Sequence, residues 1–151
     1  MDPTMPLHPD WKEFLQLLNA HGVEYLIVGA HARALHGIPR YTGDIDIFLR
    51  ISEANAAKVE TVLLEFGFAS TEIKAEDFLM PEQVVQLGVA PYRIDLMTSL
   101  TGLDFDDAWS DRATGELDGV PVVFLSLRAF RANKLAAGRP KDLADLADLL
   151  D

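Results

Sequence analysis

The chain has 151 residues, of which 49% are apolar, and 24 acidic against 13 basic residues give it a formal net charge of −11. This charge argues against general affinity for anionic membranes or nucleic-acid backbones, so we expect no membrane binding and no extended DNA binding. The absence of cysteine excludes disulfides and thiolate metal sites, and the length suits a single domain over residues 1–151.

The N-terminal segment, MDPTMPLHPDW, lacks the basic and apolar regions of a signal peptide. No apolar run along the chain approaches the roughly 18 residues that a transmembrane helix needs. We therefore expect a cytoplasmic protein.

The first half of the chain alternates predicted helices and strands. Apolar residues at helical spacing predict one helix over residues 10–20 and another over 52–66. Between them, apolar runs predict strands over 23–28 and 44–50, and the segment 30–36 suits a short helix. Glycine and proline punctuate the loop before the second strand.

The second half of the chain adds a hairpin, a strand and two helices. The runs 82–87 and 92–98 are separated by four turn-like residues and predict two antiparallel strands. A further strand is predicted over 120–125, and helices over 126–137 and 140–150 pack on the rest of the domain. This mixture predicts an α+β fold, a mixed β-sheet with flanking helices.

Two aspartates interrupt the second predicted strand. Alternate side chains of a strand lie on one face about 7 Å apart, so Asp44 and Asp46 point one way and Ile45, Ile47 and Leu49 point the other. One interpretation is that the two carboxylates form only a solvated sheet face. Alternatively they bind a cation, because neighbouring carboxylates repel each other unless a positive charge lies between them.

A third aspartate, Asp95, interrupts a later predicted strand between Ile94 and Leu96. If strands 44–50 and 92–98 are neighbours, the three carboxylates converge. Mg²⁺ prefers oxygen ligands and commonly takes one or two carboxylates together with substrate phosphates. The simpler alternative is a strand residue that faces solvent.

Gly29 lies where the first strand passes into the short helix, in the sequence VGAHARALHG. A glycine at such a turn leaves the backbone open to a ligand, and free N–H groups at a helix start favour an anion. Glycine at this position is also common for structural reasons alone.

The run VGAHARALHGIPRYTGDIDIFL resembles the minimal nucleotidyltransferases of the DNA polymerase β superfamily, in the stand-alone bacterial branch that includes abortive-infection and toxin–antitoxin enzymes. Their hallmark is glycine followed by glycine or serine, about a dozen spacer residues, and then aspartate–hydrophobe–aspartate. Asp95 is similar to their third acidic residue. Ala30 departs from the pattern, so backbone N–H groups would take the place of a serine hydroxyl.

The resemblance implies a polymerase β palm-like fold and transfer of a nucleoside monophosphate from a nucleoside triphosphate to a hydroxyl. It implies two Mg²⁺ ions held by the catalytic residues Asp44, Asp46 and Asp95. Arg40 is a candidate phosphate clamp, and Thr42 either binds a phosphate or caps the turn. The predicted nucleotide-binding residues are Gly29, Ala30, Arg40, Thr42 and Lys134, with Asp142 as the supporting acidic residue and Asp145 as the alternative to it.

The predicted helix 126–137 is rich in basic residues. Spacing of three places Arg128, Arg131 and Lys134 along one stripe, while Phe130 and Leu135 are expected to face the core. Such a stripe is a solvated helix face or, in so acidic a protein, the place where a triphosphate settles.

The acceptor of the transfer stays open at this level: an RNA 3′ end such as that of a tRNA, a side-chain hydroxyl of a partner protein, or a small molecule. The competing hypothesis is a catalytically inactive nucleotidyltransferase-fold module that binds another protein as an antitoxin or regulatory subunit. A third is metal or nucleotide binding without turnover. His31 and His36 form no rival zinc site, because they are five residues apart rather than the four that align ligands on a helix.

Overall fold

The computed structural model describes residues 7–36, 43–68, 73–89 and 92–150. The helices are α1 (Pro9–Ala20), α2 (Gly29–Leu35), α3 (Glu53–Phe66), α4 (Phe105–Ser110), α5 (Leu127–Ala137) and α6 (Pro140–Leu150), with a 3₁₀ turn at Ala75–Phe78. The strands are β1 (Tyr25–Val28), β2 (Asp44–Leu49), β3 (Val84–Val89), β4 (Tyr92–Met97), β5 (Ala113–Leu117) and β6 (Val120–Phe124).

The six strands form one mixed sheet in the order β3-β4-β2-β1-β6-β5. Two neighbouring pairs, β2 with β4 and β1 with β6, run parallel. The other three pairs are antiparallel, including the predicted hairpin of β3 and β4. The predicted α+β class with a mixed sheet is confirmed.

The two faces of the sheet bury different sets of side chains. Ile45, Ile47 and Leu49 of β2 pack with apolar residues of α1 and α3. Phe48, on the opposite face, packs with residues of α2, α4 and α5, including Phe130. Burial of each such side chain stabilises the fold by about 1.5 to 3 kcal/mol, so the alternation along β2 fixes which face carries its aspartates.

The ends of α5 explain how the C-terminal helices fold back. The Ser126 hydroxyl accepts a hydrogen bond from the Ala129 N–H at 3.0 Å and caps the first turn. Gly138 ends the helix in a left-handed conformation with φ of 63°, which glycine adopts without a steric penalty. Pro140 then begins α6, so the two helices pack against each other.

Several sequence expectations differ from the structure. Leu135 was expected in the core but is 69% exposed, because α5 turns that position away from the sheet. The sequence reading also assigned no structure to residues 99–119, where α4 and β5 lie. Asp118 and Gly119, both with positive φ, form the turn between β5 and β6, and Asp-Gly between two strands is a hairpin signal.

None of the helices in the described part of the chain is both long and apolar enough to cross a membrane.

Candidate active site

The parallel pairing of β2 and β4 brings the three predicted aspartates to one place. Asp46 lies opposite Asp95 in the register, and Asp44 lies opposite Arg93. Asp95 is only 7% exposed, and the other two aspartates are half-buried. The carboxylates were expected to converge only if the strands at 44–49 and 92–97 were neighbours, and the structure shows that they are.

Arg93 lies between two of these carboxylates. Its Nε donates a hydrogen bond to Asp95 Oδ1 at 2.8 Å. Its Nη2 lies 3.0 Å from Asp44 Oδ2 and 3.1 Å from Asp95 Oδ2. The guanidinium thus neutralises part of the negative charge at this end of β2 and β4. Sequence reasoning missed this residue, although its position two before Asp95 places both on one face of β4.

The carboxyl of Asp46 has a raised pKa. Burial first, and then the charges of Asp95 and Asp44 and a hydrogen bond with Asp95, raise its pKa to about 6, and the charge of Arg93 offsets only part of this rise. At neutral pH Asp46 is ionised at a cost in free energy. A cation bound beside it would remove that cost.

Gly29 lies directly against Asp46. Val28 pairs with Asp46 across β1 and β2, and Gly29 follows with φ of +67°. A Cβ added at Gly29 would lie 2.4 Å from Asp46 Oδ2, a contact that side chains do not make. The neighbouring carboxylate therefore requires glycine here, independently of any ligand. At the start of α2, Val28 supplies no side-chain cap, which leaves the first backbone N–H groups without that partner.

A cleft of about 700 Å³ opens beside this cluster, between β2 and the C-terminal helices. Its glycine and charged lining residues are Gly29, Asp44, Asp46, Lys134, Arg139, Lys141 and Asp145. The wall formed by β2 is acidic, and the wall formed by α5, α6 and the residues between them carries three basic side chains and Asp145. Such a cleft has a place for a cation on one side and for an anion on the other.

Lys134 is a buried lysine held by two carboxylates. Its Nζ lies 3.3 Å from Asp142 Oδ1 and 3.4 Å from Asp145 Oδ2. The hydrogen bond from Arg139, and then that from Lys134, lower the pKa of Asp142 to about 2, against the opposing effect of burial. The structure thus brings Lys134 and Asp142 together and fixes the ammonium at the wall of the cleft.

The same cluster connects α6 to α2. Arg33 Nε lies 3.1 Å from Asp145 Oδ1, and Arg33 Nη2 lies 2.6 Å from Asp148 Oδ2. Arg33 is not among the residues predicted from the sequence, because no local sequence pattern distinguishes it from other arginines. The three-residue spacing of Asp142, Asp145 and Asp148 does predict one acidic stripe along α6.

The remaining predicted residues divide into two groups. Arg40 and Thr42 lie outside the described residues. Arg128 was expected on the same stripe as Lys134. It instead pairs with Asp111 at 2.6 Å and with Asp107 at 3.4 Å, so its side chain connects α5 to α4 and to the residue that follows α4. The prediction of a single basic stripe along α5 is therefore wrong, because Lys134 and Arg128 contact different parts of the protein.

The histidines pack within the fold. His31 is buried, neither ring nitrogen has a side-chain or backbone hydrogen-bond partner among the described residues, and its ring meets Trp11 edge-on at 5.1 Å. Burial lowers the pKa of His31 to about 4, so the ring is neutral at neutral pH. His36 Nε2 lies 2.7 Å from the Leu125 carbonyl oxygen.

The aspartate pattern predicts a divalent metal ion, and the donor chemistry of the site suits one. Carboxylate oxygens are the ligands that Mg²⁺ prefers, and Asp46 is destabilised by its like-charged neighbours. Within residues 7–36, 43–68, 73–89 and 92–150, however, no three acidic or histidine side chains are arranged to hold a metal ion without rearrangement. Since Arg93 bridges Asp44 and Asp95, its guanidinium would have to move first.

Two solved structures share this architecture. A "putative nucleotidyltransferase" of Thermotoga maritima superposes with a TM-score of 0.62 and 21% identity, covering 96% of this chain and 95% of that one. An antigenic nucleotidyltransferase-like protein of Paracoccidioides brasiliensis superposes with a TM-score of 0.53 and 18% identity, covering 97% of this chain and 77% of that one. No family model and no curated protein matches the chain. At these identities the likeness shows the fold.

Proposed function

We propose that this chain, which has the nucleotidyltransferase fold, transfers a nucleoside monophosphate from a nucleoside triphosphate to a hydroxyl acceptor. The observation that carries the proposal is the cleft with one acidic and one basic wall. Asp44 and Asp46 line one side of it, and Lys134, Arg139 and Lys141 line the other. A magnesium–triphosphate complex has this distribution of charge, with the cation attached to one end of the anion.

On the acidic wall, Asp44, Asp46 and Asp95 would hold two Mg²⁺ ions. Bound there, Mg²⁺ would neutralise phosphate charge as a Lewis acid. Asp44 and Asp46 line the cleft, and Asp95 lies beside Asp46 across the parallel strand pair. The free energy that ionised Asp46 costs in the metal-free protein supports this assignment, because a bound cation removes that cost.

The chemical step is displacement at the α-phosphorus. The acceptor oxygen forms a bond to the α-phosphorus, the bond from that phosphorus to the bridging oxygen of the β-phosphate breaks, and pyrophosphate leaves. The proton of the acceptor hydroxyl passes to a carboxylate, and we assign that role to Asp95. Catalysis of this kind depends mainly on positioning and on electrostatic stabilisation of the transition state.

On the basic wall, Lys134 would stabilise the charge that develops on the departing pyrophosphate. Its ammonium is fixed by Asp142 and Asp145 before any ligand arrives, so little side-chain entropy is lost when phosphate binds. Arg40 is proposed as a second phosphate ligand, and Thr42 either as a third or as a turn cap. Backbone N–H groups at Gly29 and Ala30, at the start of α2 where no side chain caps the helix, would donate hydrogen bonds to the phosphates.

The experiment is transfer of label from nucleoside triphosphates. Purified protein is incubated with each of the four α-³²P-labelled ribonucleoside triphosphates, Mg²⁺ and a cell extract, and the labelled product is separated into RNA, protein and small-molecule fractions. Label is expected in one fraction with the wild-type protein and in none with Asp44→Asn or Asp46→Asn. If both variants transfer label as fast as the wild type, the proposal fails.

The labelled fraction then identifies the acceptor class. An RNA acceptor, such as a tRNA 3′ end, predicts binding that weakens steeply with salt, because basic side chains near the cleft must displace counterions from the backbone. A partner protein or a small molecule predicts a much weaker dependence on salt. A protein acceptor would be consistent with a role in a toxin–antitoxin pair.

A second candidate function is binding without turnover, as a regulatory or antitoxin module. Arg93 favours it, because a site whose carboxylates already hold a guanidinium can be stable and inactive. This candidate predicts that triphosphate with Mg²⁺ raises the melting temperature while no fraction becomes labelled. Transfer of label that depends on Asp46 would exclude it.

A further inference from the structure

We propose that Arg93 is a resident cation of the carboxylate cluster, which makes divalent-metal binding depend on the nucleotide. In the free protein its guanidinium holds the carboxylates, and a metal ion by itself binds weakly. The metal–triphosphate complex displaces the guanidinium, because it brings both the cation for the carboxylates and an anion for the arginine. This inference rests on the proposed function, since it concerns the same carboxylates.

The contacts place the guanidinium where a shared cation belongs. Arg93 reaches both oxygens of Asp95 and one oxygen of Asp44, all within 3.1 Å. It can do so because Arg93 is two residues before Asp95 on one strand face and lies opposite Asp44 in the parallel register. A metal ion that takes oxygens from Asp44 and Asp95 must compete for the same atoms.

The surroundings allow Arg93 to leave. Its side chain is 31% exposed, whereas Asp95 is nearly buried, so the guanidinium can move toward solvent while the carboxylate stays. Asp46 lies opposite Asp95 in the register and lines the cleft, beside the two carboxylates that Arg93 holds. A cation that enters the cleft therefore meets a third carboxylate next to the two that contact the guanidinium.

The test measures the binding of Mn²⁺, used as a probe for divalent metal ions. The electron paramagnetic resonance signal of free Mn²⁺ reports how much of the ion remains unbound. The full-length wild type is compared with Arg93→Gln, with and without α,β-methylene analogues of the four ribonucleoside triphosphates, which resist transfer. Without nucleotide, Arg93→Gln is expected to bind Mn²⁺ about tenfold more tightly or better, as for removal of a cation a few ångströms away. Nucleotide is expected to tighten Mn²⁺ binding much more in the wild type than in the variant.

Arg128→Gln is the matched control. Arg128 also pairs with two carboxylates, Asp107 and Asp111, and its loss changes the net charge by the same amount, but it does not line the cleft. This control is expected to leave Mn²⁺ affinity at the wild-type value. The double variant Asp44→Asn/Arg93→Gln is expected to bind Mn²⁺ no more tightly than the wild type. This result would show that the tighter binding of Arg93→Gln depends on the carboxylate cluster.

The outcomes separate this inference from the proposed function. If Arg93→Gln and the wild type bind Mn²⁺ equally while Asp46→Asn abolishes nucleotide-dependent binding, the resident-cation role is wrong and the active site stands. Equal tightening in Arg93→Gln and Arg128→Gln would also overturn it, since net charge would explain both. If no protein binds Mn²⁺ with or without nucleotide, both proposals fail. Should Arg93→Gln be too unstable without metal, Arg93→Lys is expected to show a smaller tightening.

Discussion

Two clusters of charge flank the same cleft, and they differ in their balance. On the sheet, Arg93 contacts two of the three carboxylates in the cluster of Asp44, Asp46 and Asp95. On the helices, the described ion pairs join three cations to three carboxylates. These residues are Arg33, Lys134, Arg139, Asp142, Asp145 and Asp148.

The difference teaches where to look for chemistry and where for stability. The pKa shifts point in opposite directions: that of Asp46 is raised to about 6, and that of Asp142 is lowered to about 2. The first cluster costs free energy until another cation arrives, and the second is already satisfied. A surplus of like charge at a cleft indicates a site for a counter-ion, whereas a matched set stabilises the fold and holds its side chains in place before a ligand arrives.

The largest expected effect is a loss of nucleotide transfer with no loss of the fold. Asp46→Asn or Asp44→Asn should lower the rate of nucleotide transfer by roughly a hundredfold or more, because charge stabilisation in the transition state is lost. Initial rates of label transfer measure the effect, and circular dichroism checks the fold. Asp111→Asn is the control, since that aspartate pairs with Arg128 away from the cleft. A loss of less than threefold in both site variants, roughly 0.6 kcal/mol, would contradict the comparison.

The next effect concerns the balanced cluster. Asp142→Asn should destabilise the protein by about 2 to 3 kcal/mol, because it leaves the buried Lys134 without one of its partners. Urea denaturation followed by tryptophan fluorescence measures the change. Asp111→Asn, which removes an exposed partner of Arg128, should shift the midpoint far less. Equal shifts in the two variants would show that the helical cluster has no special role in stability.

The third prediction is that removing a carboxylate from the sheet cluster stabilises the protein, whereas removing one from the helical cluster destabilises it. In a chelator, Asp46→Asn should stabilise the protein by about 2 kcal/mol at pH 8, since the ionised carboxyl is costly there. A raised folded-state pKa means that the wild type is favoured below about pH 4 and loses this advantage as pH rises toward about 6. The gain of the variant should therefore vanish at low pH. Melting temperatures of both proteins across this range decide the point, and a constant difference would contradict it.

The smallest effect is the acid dependence of Asp142. Its lowered pKa means that its ionised form contributes stability at neutral pH, and this contribution is lost as pH falls from about 4 toward about 2. Asp142→Asn should therefore lose less stability than the wild type over that range. Parallel acid-unfolding curves for the two proteins would contradict the assignment of that pKa shift.

Much of the fold could be predicted from local patterns. The alternation in DIDIFL placed three apolar residues on one face of β2 and the aspartates on the other, and burial confirms the apolar set. The helix ends at Ser52, Ser126 and Gly138 are also set by local chemistry. The region 99–119 was missed, although the Asp118-Gly119 turn signals the hairpin of β5 and β6.

The candidate site could be predicted only in part. The types and spacing of Asp44, Asp46 and Asp95 indicated metal chemistry, but whether they meet depends on the pairing of β2 with β4. Glycine at position 29 suits the positive φ of the turn, but the close approach of the Asp46 side chain is a second reason that no local pattern reveals. Arg93 and Arg33 were missed because their roles are defined by partners that are distant in sequence or lie on another strand or helix.

By itself, then, the sequence determined the class of elements, the faces that each strand buries, and a set of carboxylates typical of metal-dependent phosphoryl transfer. Tertiary structure alone decided that β4 lies beside β2, that α5 and α6 supply a basic wall opposite an acidic one, and that Arg93 holds the carboxylates. The physical reason is range. Backbone preferences and burial patterns act over a few residues, whereas charge pairing depends on distances that only the packed chain sets.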